Sequence, residues 1–348
     1  MDACTNPNNS TPTDPHNGTP TDPPSSSPTN ATRKSTPRNA TQFLPAFFRS
    51  LRHPEWLPQG VNKWDEPLNG RVPVVLLHGT WLNVYNTFAF IAPALERAGH
   101  AVFTKNYGRD PRPLTGRPSG VFGTAGLLHS QQEVAAFIDE VLERTGANQV
   151  DIIGHSQGVA QARLYLTDSG GAHPDDPGKN KVRRIIGIGG SNHGTTLSGI
   201  SSLASALDKK GITDNLTIKV LGQAAMDQRL GSATVKHLNR GGDTVAGVEY
   251  TMICSRFDQI VTPWRTQRLE PGPGATVKNL LVQTGNVKDF SDHLAILYSP
   301  RVVDLILEAL HPGEDNYRDT HPEVSRWVLP GFGEARLPRW RLLPFRRH

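Results

Sequence analysis

The segment Val150 to Gly158 has the residue types and spacing best suited to chemistry. It reads Val-Asp-Ile-Ile-Gly-His-Ser-Gln-Gly, in which an apolar run leads to a serine. One glycine lies two positions before this serine, and another lies two positions after it. This spacing is typical of a strand that turns sharply into a helix, with the serine at a strained apex. Glycines are expected there because any side chain would collide with the neighbouring strand and helix. Since a helix-compatible segment follows, the sequence predicts that Ser156 is a nucleophile rather than part of a structural turn.

A serine hydroxyl needs partners, because it is a poor nucleophile unless a base is in reach and a carboxylate orients that base. Where the serine lies on such a turn, the chain order is serine, acid, histidine. Asp258 follows the apolar run that ends at Cys254, and His293 lies between the last strand-like run and the closing helical pattern. The sequence therefore predicts Ser156, Asp258 and His293 as nucleophile, acid and base.

Other residues compete for the roles of base and acid. His193 is the rival base, but it precedes the acid and breaks the chain order. Asp289 and Asp292 lie near His293, where residues close in the chain rarely point the right way, and Asp243 is a more distant alternative.

Negative charge on a reacting carbonyl oxygen would need two N–H donors, each worth ~3 kcal/mol in the transition state. One is predicted to be the Gln157 N–H, just after the nucleophile. The other is predicted to be the Thr80 N–H, since Gly79 lets the backbone approach closely after the first central strand. His78 and Trp81 are interpreted as structural residues, or as a wall of the acyl pocket.

Other chemistries have little support in the sequence. No cysteine and histidine cluster has metal-ligand spacing. The glycine turns at Gly120 and Gly189 match neither phosphate-binding nor dinucleotide-binding patterns. We therefore expect no metal and no cofactor.

Strand and helix patterns alternate from Val72 onwards, which predicts an α/β fold with a mostly parallel central sheet of about six strands and helices on both faces. Continuous Val, Ile and Leu runs favour strands buried on both sides. The predicted strands are Val72–Leu77, Ala101–Lys105, Gln149–Ile153, Arg184–Ile188, Glu249–Cys254 and Lys278–Gln283. The predicted helices are Phe88–Ala98, His129–Arg144, Val159–Leu166 and Ser299–Leu310.

The chain divides into three predicted regions. Residues 1–45 are rich in Asn, Thr, Ser and Pro and cannot bury enough apolar surface, so they predict a disordered tail. Residues 46–312 form the predicted domain, and 313–348 form a Pro/Arg-rich extension. Within the domain, residues 191–247 interrupt the alternation. Their apolar stripe, from Leu197 to Leu207, fits either a helix seated on the core or a lid-like substrate wall.

The bulk composition limits partners and location. Net charge is +5, the balance of 37 basic and 32 acidic residues, and the five arginines after residue 335 account for it, so no nucleic-acid surface is indicated. That basic, aromatic tail could instead contact an anionic interface. No apolar run is long enough to span a membrane, and no charged-then-apolar leader begins the chain. Cys4 and Cys254 are not expected to form a disulfide.

These motifs together resemble the α/β-hydrolase superfamily, and within it the bacterial triacylglycerol lipases and esterases grouped as lipase class 2. The resemblance covers about Val72 to Leu310. Its carriers are Val74–Thr80, Asp151–Gly158, Gly190–Thr195 and Ser291–Leu294, of which the Asn-His-Gly-Thr stretch is the most specific. The resemblance implies the α/β-hydrolase fold, the same triad of Ser156, Asp258 and His293, and oxyanion donors at Thr80 and Gln157. Relatives are mostly secreted, whereas no leader is visible here.

The expected activity is cofactor-independent hydrolysis of carboxylic esters through an acyl-enzyme, with lipid esters favoured. An acyltransferase, or a hydrolase of polyesters or small esters, would use the same residues. A catalytically silent binding module on the same fold is the alternative from another class. Fluorophosphonate labelling of Ser156 would separate an enzyme from a binding module.

Overall fold

The computed structural model describes residues 39–196, 214–313 and 327–334. Most of the predicted N-terminal tail with Cys4, the Leu197–Leu207 stripe and the arginine-rich end lie outside the described residues. In the described part, six parallel strands form one sheet in the order β2-β1-β3-β4-β5-β6. The strands are β1 Val74–Leu77, β2 Val102–Thr104, β3 Val150–His155, β4 Val182–Ile188, β5 Glu249–Cys254 and β6 Thr276–Leu281.

Helices follow most strands, because a parallel sheet needs crossover connections. They are α1 Phe43–Ser50, α2 Val84–Phe88, α3 Ile91–Arg97, α4 Leu127–Thr145, α5 Gln157–Asp168, α6 Asp214–Leu221, α7 Gln223–Asp227, α8 Ala233–Leu238 and α9 Pro300–Leu310. Most of the helix predicted over Phe88–Ala98 is α3, Ile91–Arg97, whereas Phe88 is the last residue of the separate helix α2.

Both faces of the sheet are covered. On one face, Leu76 and Ile186 pack with residues of α3 and α9. On the other, Val75 and Ile152 pack with α4 and α5. Alternate residues of each strand point to opposite faces, so a central strand must be apolar throughout, as the continuous Val/Ile/Leu runs predict. The predicted α/β-hydrolase sheet is confirmed.

The N-terminal boundary of the ordered domain lies earlier than residue 46. Ala40 is buried, and α1 begins at Phe43, inside the segment predicted as a tail. The helix packs through Phe43 and Ala46, because its apolar residues recur at helical spacing. Composition over the whole tail hid this short apolar stretch at its end.

Part of the C-terminal extension also packs on the domain. Strands β7 Val328–Leu329 and β8 Gly333–Glu334 form a small antiparallel hairpin. The Phe43 N–H donates to the Phe332 carbonyl (2.7 Å), and the Gly331 N–H donates to Asp292 Oδ2 (2.7 Å). The hairpin thus joins α1 to the loop before α9.

Residues 214–247, in the described part of the insertion, contain three helices. Helices α6 to α8 bury Leu221, Ala224 and Leu238, so this part is seated on the domain. Throughout residues 39–196, 214–313 and 327–334, no helix combines the length and apolarity needed to cross a bilayer.

Candidate active site

Ser156 lies at the tip of a strained turn between β3 and α5. Its φ of +53° is in the left-handed region, which side chains rarely adopt. The flanking glycines are required by space. A Cβ at Gly154 would lie 2.6 Å from the carbonyl carbon of Gly158, and a Cβ at Gly158 would lie 2.2 Å from the Leu77 oxygen. The strain is therefore maintained by close packing between the turn and β1.

Asp258 and His293, which lie 35 positions apart, are in direct contact: His293 Nδ1 is 2.6 Å from Asp258 Oδ2. Both side chains are almost fully buried. A carboxylate accepts, so Nδ1 carries the proton and Nε2 keeps its lone pair for another group. The imidazole is thereby held in the tautomer that a general base requires.

The Asp258 carboxylate is itself fixed in place. Its Oδ1 accepts the N–H groups of Ile260 and Val261, each at 2.8 Å. Its Oδ2 also accepts from Gln267 Nε2 at 2.9 Å. With His293, four donors surround this buried group, as a buried anion needs.

The competing residues are engaged elsewhere. His193 does not line the cavity around Ser156; its Nδ1 lies 3.0 Å from the Thr266 oxygen and its Nε2 lies 2.9 Å from Asp243 Oδ1. Asp292 accepts from the backbone N–H groups of Leu294 and Ala295.

Asp289, the remaining competitor, accepts from the hydroxyl of Ser299 at 2.6 Å and from the N–H of Ser291 at 2.9 Å. These bonds connect the loop before His293 to the start of α9. Its carboxylate is thus a structural anchor.

His155, inside the turn, contacts the backbone of the candidate base. Its Nε2 lies 2.9 Å from the His293 carbonyl oxygen, so Nε2 carries the proton and donates. Its Nδ1 is buried without a hydrogen-bond partner among the described residues. Burial holds the pKa of His155 well below its ordinary value, with the nearby His293 acting in the same direction. The ring is neutral and fixes the position of the His293 backbone.

The predicted oxyanion donors are Gln157, the first residue of α5, and Thr80, in the loop after β1. Gln157 Nε2 donates to Thr80 Oγ1 at 3.2 Å and to the Gly123 oxygen at 3.1 Å. Gln228 Nε2 donates to the same Thr80 oxygen at 2.8 Å. Within the described residues, the backbone N–H groups of Thr80 and Gln157 have no acceptor. They are available to an oxyanion.

A cavity of about 260 Å³ contains Ser156 and His293 in its wall. Its polar residues are few, and most of its lining is apolar. Helix α1 contributes four residues, and the loop after Asp258 contributes Ile260 and Val261. Such a cavity can hold an apolar substrate group next to a reactive hydroxyl.

Sequence reasoning missed three contributors to this site. Helix α1 begins inside the predicted tail of residues 1–45 and ends in the predicted domain, although its aromatic residues at helical spacing are a detectable signal. Gln267 and Gln228 carry no local pattern, since their roles depend on contacts with Asp258 and Thr80. Only the tertiary structure identifies them.

The fold and this geometry define an α/β hydrolase with a serine at the turn after β3. The sequence profile of the class 2 lipases, described as "Lipase (class 2)", matches residues 71–272. That match spans more than half of the chain, which therefore belongs to the class 2 lipase family.

One solved structure supports the fold, and a second belongs to a similar protein. Aspergillus fumigatus lipase B is 22% identical over 73% of this chain, with a TM-score of 0.53. The alignment covers 55% of that protein, so this chain spans about half its length. Mature Bacillus licheniformis lipase BlEst2 is 15% identical over 71% of this chain and 94% of its own, with a TM-score of 0.45.

Proposed function

We propose that the protein hydrolyses carboxylic esters, with lipid esters as favoured substrates, through an acyl-enzyme on Ser156. The observation that carries the proposal is the buried contact between His293 Nδ1 and Asp258 Oδ2 beside a cavity that also contains Ser156. Membership of the class 2 lipases supports the same reaction.

In the first half-reaction, Ser156 Oγ attacks the ester carbonyl carbon while His293 Nε2 takes the hydroxyl proton. The carbonyl electron pair moves to oxygen, where the N–H groups of Thr80 and Gln157 stabilise the negative charge. The electron pair then returns, the ester C–O bond breaks, and His293 gives its proton to the leaving alcohol. The acyl group remains bonded to Ser156.

In the second half-reaction, water attacks the acyl carbonyl carbon and passes a proton to His293 Nε2. Collapse of this intermediate breaks the bond to Ser156 Oγ, which recovers the proton as the acid leaves. Asp258 stays ionised throughout and stabilises the imidazolium that forms in each half.

The test combines labelling with turnover. A fluorophosphonate is expected to label the protein at Ser156, and Ser156→Ala is expected to lose labelling and on the order of 10⁴–10⁶ in the turnover of nitrophenyl esters. Ser119→Ala is a matched control, because Ser119 is exposed and does not line the cavity. Unchanged hydrolysis by Ser156→Ala would remove Ser156 from the mechanism.

Emulsified triglyceride extends the same assay to lipid esters. We expect its hydrolysis by the parent protein and none by Ser156→Ala. Turnover of soluble nitrophenyl esters without any release of fatty acid from the emulsion would limit the activity to small esters.

A further inference from the structure

Helix α1 packs on the core and also lines the cavity. Ala46 and Ser50 are buried in the domain, whereas Phe48 keeps 65% of its surface exposed. Pairs of residues four apart lie on the same face of a helix. The residues of α1 that line the cavity form two such pairs: Phe43 with Phe47, and Leu44 with Phe48.

The helix is fastened at both ends. Ser50 Oγ accepts from Asn83 Nδ2 at 3.1 Å and from Asn86 Nδ2 at 3.0 Å. At the other end, the Phe43 N–H donates to the Phe332 oxygen of the C-terminal hairpin. These anchors fix α1 as a wall, so its aromatic residues have defined positions beside the cavity.

The cavity lining combines polar and apolar residues. It includes Ser156 and His293, four apolar side chains of α1, and the apolar residues Leu294 and Ile260. A partly exposed phenylalanine gains free energy when an apolar group covers it, at roughly 25 cal/mol per Å². The occupant that fits is a hydrocarbon chain whose carbonyl end lies at Ser156.

Resting on the proposed function, we propose that α1 is the acyl-binding wall and sets the preference for long-chain over short-chain esters. The helix precedes residues 71–272, the segment shared with the class 2 lipases. Part of the selectivity for the acyl chain is therefore built from sequence outside the shared segment, whereas Ser156 and Asp258 lie inside it.

The test compares nitrophenyl acetate with nitrophenyl octanoate. In Phe48→Ala and Phe47→Ala, the ratio of kcat/KM for octanoate over acetate falls about tenfold, because the octanoyl chain loses contacts that acetate never makes. Phe48→Glu lowers the ratio further, since a carboxylate would have to lose water against the chain. Phe48 is exposed, so its replacement leaves the fold intact.

Leu128→Ala is the matched control. Leu128 is 47% exposed on α4 and does not line the cavity. The ratio of kcat/KM for octanoate over acetate in Leu128→Ala should therefore equal that of the parent protein. An unchanged ratio in the α1 variants would overturn the proposal. An equal loss for both esters would also overturn it, because α1 would then support the reactive residues rather than select the chain.

A binding measurement separates this proposal from the proposed function. In the Ser156→Ala background, which needs no turnover, calorimetry with decanoate reports the apolar wall directly. Phe48→Ala should weaken decanoate binding about fivefold. Suppose that Phe48→Ala weakens decanoate binding but the parent protein cleaves no ester. That result would contradict the proposed function and leave the acyl-binding wall standing. If Ser156→Ala binds decanoate equally well with and without Phe48→Ala, the acyl-binding wall is contradicted and the proposed function is unaffected.

Discussion

At the scale of single residues, the site depends on side chains whose hydrogen bonds fix one arrangement. Asp258 is surrounded by four donors, and its contact with His293 decides which imidazole nitrogen keeps the lone pair. His155 adds a bond of a different kind, because it holds the backbone of His293 rather than its ring. A residue that positions the base in this way can alter turnover without touching substrate chemistry.

His155→Phe should lower kcat about tenfold or more with little change in KM, because the His293 carbonyl loses its donor and the base is displaced. His155→Gln, whose amide can donate to the same carbonyl, should recover most of the loss. Both variants are measured on nitrophenyl acetate, with fluorophosphonate labelling rates as a second readout. Equal rates in the parent and the Phe variant would contradict the positioning role.

At the scale of elements, the loop after β4 is tied to the segments before and after β5. His193, after β4, joins the Thr266 carbonyl and the Asp243 carboxylate. Because both partners are acceptors, the His193 ring donates to both of them only when Nδ1 and Nε2 each carry a proton. The hydrogen bond with Asp243 accordingly raises the pKa of His193 above its ordinary value of 6.5, against the effect of burial.

This tie should weaken at alkaline pH. A group whose pKa is raised by folding stabilises the fold fully below its unfolded pKa, here 6.5, and loses that contribution as the pH rises through the folded pKa. His193→Gln should therefore destabilise the protein more in mildly acidic than in alkaline buffer, as measured by urea unfolding. Asp243→Asn provides the control background. In that background, the loss of stability caused by His193→Gln should depend little on pH, because the charged partner is absent. A cost independent of pH would refute the charged tie.

At the scale of the whole molecule, folding buries neutral histidines that do not line the cavity. Burial lowers the pKa of His78 to about 4, and burial together with the neighbouring His311 lowers the pKa of His100 to about 4. His78 is fully buried and stacks on Tyr107, with ring centroids 4.2 Å apart. Charging either ring inside the protein is unfavourable.

The free energy of unfolding should fall as the pH drops from 6.5 to about 4. In this window the unfolded chain binds protons that the folded histidines do not, and one fully buried histidine contributes a loss on the order of 3 kcal/mol. His100→Gln should flatten part of this slope, as measured by urea unfolding at a series of pH values. The same slope in the parent and the variant would exclude His100 as a source.

Elements whose causes are local could be predicted from the amino-acid sequence. Strand β5 has the predicted bounds Glu249–Cys254, because a buried parallel strand needs a continuous apolar run. The turn around Ser156 could be predicted because its glycines are a steric requirement within a few residues. Chain order and strand context predict Asp258 and His293 as acid and base, and this assignment stays a prediction.

The tertiary structure alone decided what depends on distant partners. Helix α1 could not be placed at the cavity from sequence, because its position depends on Asn83, Asn86 and the Phe332 carbonyl. The role of His155 could not be predicted from sequence either, because its acceptor, the His293 carbonyl oxygen, lies 138 positions away. A hydrogen bond between remote residues leaves no periodic pattern in the chain, since only the packed sheet and its loops bring the two atoms within reach.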